Sequence, residues 1–209
     1  MMTSRSARAW WGAGMIAAAI ALGLGTMLRG IPFAVDAWWA DVLSSPPGGG
    51  VLTFSLLLDG AGGGWIAVFV VPPGIALVLF LVGRRWGALY FVATSAASAL
   101  LVQALKHLFA RARPEDILVV VDEGSFPSGH VANAATVGIA LWILFPRWWT
   151  GVIAAAWIVA MAFSRTYLSA HWASDTLGGA LVGTGVALAV AAAMTPLRER
   201  DRARDVARL

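Results

Sequence analysis

Three clusters of charged and polar residues interrupt an otherwise apolar sequence, and each contains groups that can act on a phosphate. In the first cluster, Lys106 and Arg113 stand seven residues apart and Pro114 follows. On a helix this spacing is about two turns, so both cations can face one side. Pro114 disfavours helical geometry at Arg113, and we expect the helix to end there. Alone, the cluster is also typical of a basic helix end that reaches lipid head groups.

The second cluster is Phe126-Pro127-Ser128-Gly129-His130, at the start of an apolar stretch. Serine is a preferred N-cap, and glycine lets the backbone approach a ligand closely. The free N–H groups and positive dipole end of a first helical turn suit a phosphate, and His130 lies in that turn, where it can exchange protons. The alternative is a capped helix start with an incidental histidine.

The third cluster contains Ser164-Arg165, then His171 and Asp175. His171 and Asp175 are four residues apart, so their side chains can meet on a helix. A carboxylate on one imidazole nitrogen fixes the tautomer and leaves the other nitrogen free to attack. The alternative is a His–Asp pair that only stabilises the helix.

The elements that must hold these clusters are apolar helices. Of the 209 residues, 59% are hydrophobic and 12% are charged, whereas soluble domains carry roughly 25% charged residues. Mean hydropathy is +0.78. These values exclude a disordered chain, and the basic residues form no single block of the kind that binds nucleic acid. The chain has no cysteine. We therefore predict an all-α, polytopic membrane protein.

Six apolar stretches approach the ~20 residues that a spanning helix needs. They are Trp10–Leu28, Trp65–Gly83, Gly87–Phe109, Gly129–Phe145, Gly151–Leu168 and Trp172–Met194. Pro72-Pro73-Gly74 predicts a kink or break in the second stretch. We expect the first stretch to be retained as a helix and not cleaved as a signal peptide.

The remaining segments complete a six-helix bundle. Val51–Leu58 is too short to span and is predicted to be an interfacial helix in the outer segment between the first two spans. Residues 196–209 are expected to form a cytoplasmic tail near anionic head groups. We predict one membrane-embedded domain over residues 1–209, with a motif core at 106–175.

The arginines predict the orientation of the bundle. With the N-terminus inside, ten basic residues fall on the cytoplasmic side and five on the outer side. This agrees with the positive-inside rule. Both termini are then cytoplasmic, and all three polar clusters lie at the outer face of a membrane, which we expect to be a bacterial plasma membrane.

Together these motifs resemble the type 2 phosphatidic acid phosphatase family. The matching residues are Lys106-x6-Arg113-Pro114, Pro127-Ser128-Gly129-His130 and Ser164-Arg165-x5-His171-x3-Asp175. Their order and spacing match throughout, and six spans resemble the membrane branch of the family. Six spans argue against its soluble branch of acid phosphatases and vanadium haloperoxidases.

The resemblance implies a role for each matching residue. His171 would be the nucleophile, Asp175 would orient it, and His130 would protonate the leaving oxygen and later activate water. The phosphate would be held by Lys106, Arg113, Ser128, Gly129 and Arg165. The family implies no metal or other cofactor.

Other polar residues near the motifs are expected to play no catalytic part. Glu115, Asp116, Asp122 and Glu123 are predicted to form a solvated face and not a metal site. We interpret His107 and Arg111 as packing or head-group contacts. Gly179-x3-Gly183 is predicted to pack helices within the bundle.

The predicted function is a lipid phosphatase that acts at the outer face through a phosphohistidine. Phosphatidic acid, phosphatidylglycerol phosphate and undecaprenyl diphosphate are candidate substrates, with a slight preference for a polyprenyl diphosphate. Expected partners are this lipid and membrane lipids, without nucleic acid, in a monomer or weak homodimer. The alternative is a non-catalytic protein that binds or transports lipid phosphates, against which the two histidines and Asp175 argue.

Overall fold

The computed structural model describes residues 4–43, 48–63 and 66–206, and the regular structure in these ranges is helical. This confirms the all-α prediction. In chain order the helices are α1 (Arg5–Arg29), α2 (Ala34–Val42), α3 (Gly49–Gly62), a π-helical segment (Ile66–Val70), α4 (Val71–Leu81), α5 (Arg85–Phe109), α6 (Gly129–Leu144), α7 (Trp148–Tyr167) and α8 (Ala173–Val206).

Four apolar helices are long enough to cross a membrane. They are α1, α5, α7 and the part of α8 from Ala173 to Pro196. Helices α3, α4 and α6 are apolar but shorter, with 14, 11 and 16 residues. The chain is therefore a multi-pass membrane protein, and two of the six predicted spans are helices of reduced length.

The outer segment and the α4 region differ in detail from the sequence prediction. Helix α4 starts at Val71 after the π-helical segment, with prolines in its first turn. This break is the one expected, because proline can begin a helix but cannot continue one. Val51–Leu58 lies within the longer α3, and α2 was not predicted at all.

Helix α8 is the centre of the bundle, packing against α1, α5, α6 and α7. Its approach to α6 is close because Gly179 and Gly183 face the α6 backbone. A methyl group on Gly183 would lie 2.8 Å from Ala135 Cβ and still closer to the carbonyl oxygen of Ala132. The predicted use of these glycines within the bundle is confirmed, and their packing sets the starts of α6 and α8 side by side.

Gly183→Ala should destabilise the protein by about 1–3 kcal/mol, because the added methyl forces α6 and α8 apart. Gly14→Ala is the matched control, since among the described residues no atom lies within 4 Å of a methyl group placed there. Thermal unfolding in detergent should show a lower midpoint for Gly183→Ala and an unchanged or slightly higher one for Gly14→Ala. Equal midpoints would contradict the close approach.

Candidate active site

All three polar clusters meet at one end of the bundle. Lys106 lies in the last turn of α5 and Arg165 in the last turn of α7, whereas His130 and Asp175 lie in the first turns of α6 and α8. Successive helices run in opposite directions, so these four ends coincide. The sequence prediction that the clusters share one side is met by this geometry.

His171 is buried between α7 and α8 and uses its two ring nitrogens differently. Its Nδ1 lies 2.8 Å from the carbonyl oxygen of Ser125, and its Nε2 lies 3.3 Å from Nη1 of Arg113. A carbonyl only accepts hydrogen bonds, so the proton belongs on Nδ1 and the lone pair on Nε2. The unprotonated nitrogen therefore faces a cation that can also bind a phosphate.

The expected orientation of His171 by Asp175 needs correction. The shortest distance between the pair is 3.6 Å, from Nδ1 of His171 to Oδ2 of Asp175. This is too long for a hydrogen bond, and the Ser125 carbonyl takes the Nδ1 proton. Asp175 instead receives the Ser125 hydroxyl on Oδ2, together with the Trp172 N–H at 2.9 Å. It thus acts on His171 through Ser125 and at short range through its charge.

Arg113 lies outside α5, contrary to the prediction that the helix reaches it. Helix α5 ends at Phe109, where Ala110 takes a left-handed conformation with φ of 42°. Arg113 and Lys106 nevertheless converge on the Gly124 carbonyl, at 2.9 and 2.6 Å. The two cations are therefore brought together by the loop that follows α5, and they do not share one face of the helix.

Asp122 also departs from the prediction of a purely solvated face. Its side chain is 59% exposed, yet Oδ1 lies 2.8 Å from Nη2 of Arg113 and 3.3 Å from Nζ of Lys106. A carboxylate therefore contacts both cations of the first motif.

A second carboxylate, Asp59 at the end of α3, joins the other two motifs. It forms an ion pair with Arg165, and its Oδ1 lies 3.2 Å from Nε2 of His130. Arg165 is almost completely buried. Asp59 therefore ties α3 to the predicted phosphate site.

Ser128 precedes α6, but its hydroxyl does not cap the helix as expected. Its N–H donates to the Asp175 carbonyl at 3.0 Å and so links the starts of α6 and α8. Within the described ranges no hydrogen-bond partner is found for the buried Ser128 Oγ or for Nε of Arg165. Phosphate oxygens would satisfy both donors, and Gly129 opens α6 beside them with a first turn of unpaired N–H groups.

Four residues that contact the motifs were not predicted from the sequence. Arg111 forms an ion pair with Asp175, which was not expected. His107 is exposed on α5, and its expected role as a packing or head-group contact stays a prediction. The other three unpredicted residues are Asp36, Asp59 and Ser125. The two aspartates carried a signal, because an acid within an apolar helix is a functional suspect.

In the part of the chain that the structure describes, no group of three or more His, Asp or Glu side chains is arranged to hold a metal ion. Operation without a metal or other cofactor stays a prediction.

Cations, two histidines and a buried serine hydroxyl thus meet at one end of an apolar helical bundle, an arrangement that suits a membrane phosphatase. Residues 87–199 match the PAP2 superfamily, and the chain belongs to that family. Its class is therefore that of the lipid phosphate phosphatases, which are hydrolases.

The sequence is similar to proteins of two well-known bacteria. It is 33% identical over 133 residues to YbjG of Escherichia coli K12, provisionally named an undecaprenyl-diphosphatase, covering 56% of this chain and 67% of that protein. It is 34% identical over 116 residues to phosphatidylglycerophosphatase B of Bacillus subtilis 168, covering 50% of this chain and 57% of that protein. The second alignment therefore leaves over a third of the relative unmatched.

The fold is similar to the crystal structure of a transmembrane PAP2 type phosphatidylglycerolphosphate phosphatase from Bacillus subtilis. The TM-score is 0.74 at 22% identity, over 87% of this chain and 94% of that one. The likeness extends beyond the motif core to nearly the whole bundle.

His171 should stay neutral, and so able to attack, as the pH falls from 7 to about 5. Burial lowers the pKa of His171 to about 4, against the opposing effect of Asp175. Because folding favours the neutral ring, protonation of His171 would cost stability only as the pH falls below about 6.5 towards 4. Histidine-labelled NMR in detergent, with His171→Gln to assign the signal, measures the midpoint. A midpoint near 6.5 would contradict this burial.

Proposed function

We propose that this protein hydrolyses a phosphate monoester or diphosphate of a lipid through a phosphohistidine on His171. The observation that carries the proposal is the orientation of the His171 ring. Nδ1 is held by the Ser125 carbonyl, so Nε2 faces Arg113, where a phosphate bound to that cation would lie.

The proposed reaction has two steps. In the first, Nε2 of His171 attacks the terminal phosphorus, the bond from that phosphorus to the leaving oxygen breaks, and His130 gives its proton to that oxygen. The leaving group is the lipid alcohol for a monoester and the lipid monophosphate for a diphosphate. In the second, His130 removes a proton from water, the water oxygen attacks phosphorus, and the P–N bond breaks to release inorganic phosphate. Both histidines return to their initial protonation states.

The surrounding groups would stabilise the charge on the phosphoryl oxygens, which is the main task in phosphoryl transfer. Lys106, Arg113 and Arg165 supply positive charge, and Ser128 and the Gly129 amide supply neutral donors. Asp175 offsets the positive charge that develops on His171 as the P–N bond forms.

The lipid nature of the substrate follows from the apolar helices that surround the site and from the relatives. The Escherichia coli relative is named for undecaprenyl diphosphate and the Bacillus subtilis relative for phosphatidylglycerophosphate. We favour a polyprenyl diphosphate slightly, with phosphatidic acid and phosphatidylglycerol phosphate as further candidates.

We further propose a single domain over residues 1–209 with six membrane crossings. The π-helical segment with α4 and the 16-residue α6 would each give about 24 Å, which a locally thinned bilayer accommodates. In this arrangement α3 lies at the interface, both termini are cytoplasmic and the site opens at the outer face, in a monomer or weak homodimer.

The purified protein should release inorganic phosphate from at least one lipid of a panel containing phosphatidic acid, phosphatidylglycerol phosphate and undecaprenyl diphosphate. His171→Ala should abolish this turnover, because the covalent step loses its nucleophile. His107→Ala, on an exposed histidine of α5, is the matched control and should retain it.

Rapid quench in alkaline SDS, with a lipid that carries ³²P in its terminal phosphate, should trap the label on His171, because the P–N bond of phosphohistidine is stable in alkali and hydrolyses in acid. Label on His130 would reverse the two histidine roles. Lipid binding without phosphate release by the unmodified protein would favour the alternative, a binding or transport protein.

Single cysteines can test the orientation, because the chain contains no native cysteine. Val120→Cys lies in the α5–α6 loop at the site end and is 100% exposed, and Arg147→Cys lies at the opposite end. A membrane-impermeant maleimide should label Val120→Cys on intact cells, and Arg147→Cys only after permeabilisation. The reverse pattern would place the site at the cytoplasmic face.

A further inference from the structure

Beneath the phosphate-facing cations lies a second ionic group, which we term the buried bridge: Asp36, Arg111 and Asp175. Nη1 of Arg111 lies 2.5 Å from Oδ1 of Asp175, and Nη2 lies 2.7 Å from Oδ2 of Asp36. The side chains of both aspartates are fully buried, and that of Arg111 is 7% exposed. One guanidinium therefore joins two carboxylates that come from different helices.

Asp36 fixes the outer end of this bridge to α8. Its Oδ1 accepts the Ser174 N–H at 2.8 Å, and its Oδ2 accepts the Ser174 hydroxyl at 2.7 Å. Ser174 lies in the first turn of α8, where N–H groups lack partners within the helix. A carboxylate from α2 thus caps the helix that carries Asp175, and the same carboxylate holds Arg111.

The contacts of Arg111 separate it from the phosphate ligands. Its Nη1 also reaches the Ser174 hydroxyl, at 2.7 Å, so both terminal nitrogens are engaged by the bridge and by Ser174. The guanidinium further lies over the Trp172 ring, 5.7 Å from its centroid. The side-chain hydrogen bonds of Arg111 go to Asp36, Ser174 and Asp175, whereas Lys106 and Arg113 converge on Asp122 and Gly124.

We propose that Arg111 and Asp36 are positioning residues for the reaction, holding Asp175 so that Ser125 orients His171. Arg111 occupies Oδ1 of Asp175, which leaves Oδ2 for the Ser125 hydroxyl, and the carbonyl of the same Ser125 holds Nδ1 of His171. This inference rests on the proposed role of His171 as nucleophile. It assigns α2 a part in catalysis at a distance from the phosphate.

The bridge requires arginine in particular. The guanidinium is a planar fork that binds two carboxylates at once, whereas a lysine ammonium is a point charge on a flexible stem. Arg111→Lys keeps the charge that two buried carboxylates need but loses the fork. It therefore tests geometry with less risk to folding than removal of the charge, which would leave both acids uncompensated.

Arg111→Lys should lower kcat about 10–100-fold, the range typical of outer partners that orient catalytic ligands, and leave KM within about twofold. Arg29→Lys is the control. Arg29 is an exposed arginine at the C-terminal end of α1, and its guanidinium lies over the Phe33 ring. It should change neither constant. A rise in KM at constant kcat would overturn the proposal, since it would make Arg111 a contact of the lipid head group.

A double-mutant cycle tests whether Arg111 acts through Asp175. In an Asp175→Asn background, Arg111→Lys should lower kcat by less than about threefold, because the group it positions is already altered. Equal losses in both backgrounds would show independent effects and overturn the proposal.

Asp36→Asn removes one charge of the bridge while nearly preserving shape, and should lower kcat at least threefold. Asp116→Asn, on an exposed loop acid, is its control. If Arg111→Lys does not elute as a folded species in detergent, Asp36→Asn decides: unchanged kcat overturns the proposal.

Failure of the underlying function would look different. If His171→Ala retains turnover, the phosphohistidine proposal is wrong whatever the bridge variants do. If His171→Ala is inactive while Arg111→Lys and Asp36→Asn keep full kcat, only the positioning role is wrong.

Discussion

Charge compensation at the end of an apolar helical bundle is the constraint on which the site depends. An unpaired buried charge costs several kcal/mol, so each cation that the chemistry needs must be held beside an acid. Lys106 and Arg113 share Asp122, Arg165 is paired with Asp59, and Arg111 lies between Asp36 and Asp175. Two of these acids, Asp36 and Asp59, come from segments outside the motif core. Asp36 of α2 and Asp59 of α3 therefore join these two helices to the site, through the same ion pairs that compensate the charges of its buried arginines.

The helical packing supplies the second half of the arrangement. The glycines of α8 let its backbone approach α6, and the Ser128 N–H reaches the Asp175 carbonyl where the two helices begin. Two helix starts are thus placed side by side, each with a positive dipole end and N–H groups that lack partners within the helix. The cations reach the same place from the ends of α5 and α7. The proposed phosphate site therefore lies where four helix ends meet, and this brings together motifs that are distant in the sequence.

The sequence predicts those parts of the molecule whose signal lies in residue type. Apolar stretches located the main helices, and motif spacing with helix direction located Lys106, Arg113, Arg165, His130, His171 and Asp175 at one end. The acceptor for Nδ1 of His171 was not predictable, because it is a backbone carbonyl and every residue has one. The predicted apolar stretch ended at Phe109, as α5 does, but the expected continuation of the helix to Arg113 was wrong. Ala110 adopts a left-handed conformation that alanine rarely takes, and no glycine in the sequence indicates it. Helix α2 was not predicted because its nine residues are far fewer than the length by which the spanning helices were recognised.

The four acids around the site differ in how firmly they are held, and this difference matters for binding. The side chains of Asp36 and Asp175 are fully buried, whereas those of Asp122 and Asp59 are 59% and 26% exposed. Asp122 and Asp59 contact the three cations that are proposed to hold the phosphate, so a bound phosphate would compete with these two acids. When a partly exposed carboxylate is displaced from its cation, water can solvate it. A fully buried carboxylate has no such access to water, and its displacement would leave a buried cation without a compensating charge. The partly exposed pair would therefore yield to substrate, while Arg111 and Asp36 would keep Asp175 in place. In this arrangement Asp122 and Asp59 compensate the cations when no substrate is bound, and a separate pair, Asp36 and Asp175, fixes the geometry of the proposed nucleophile.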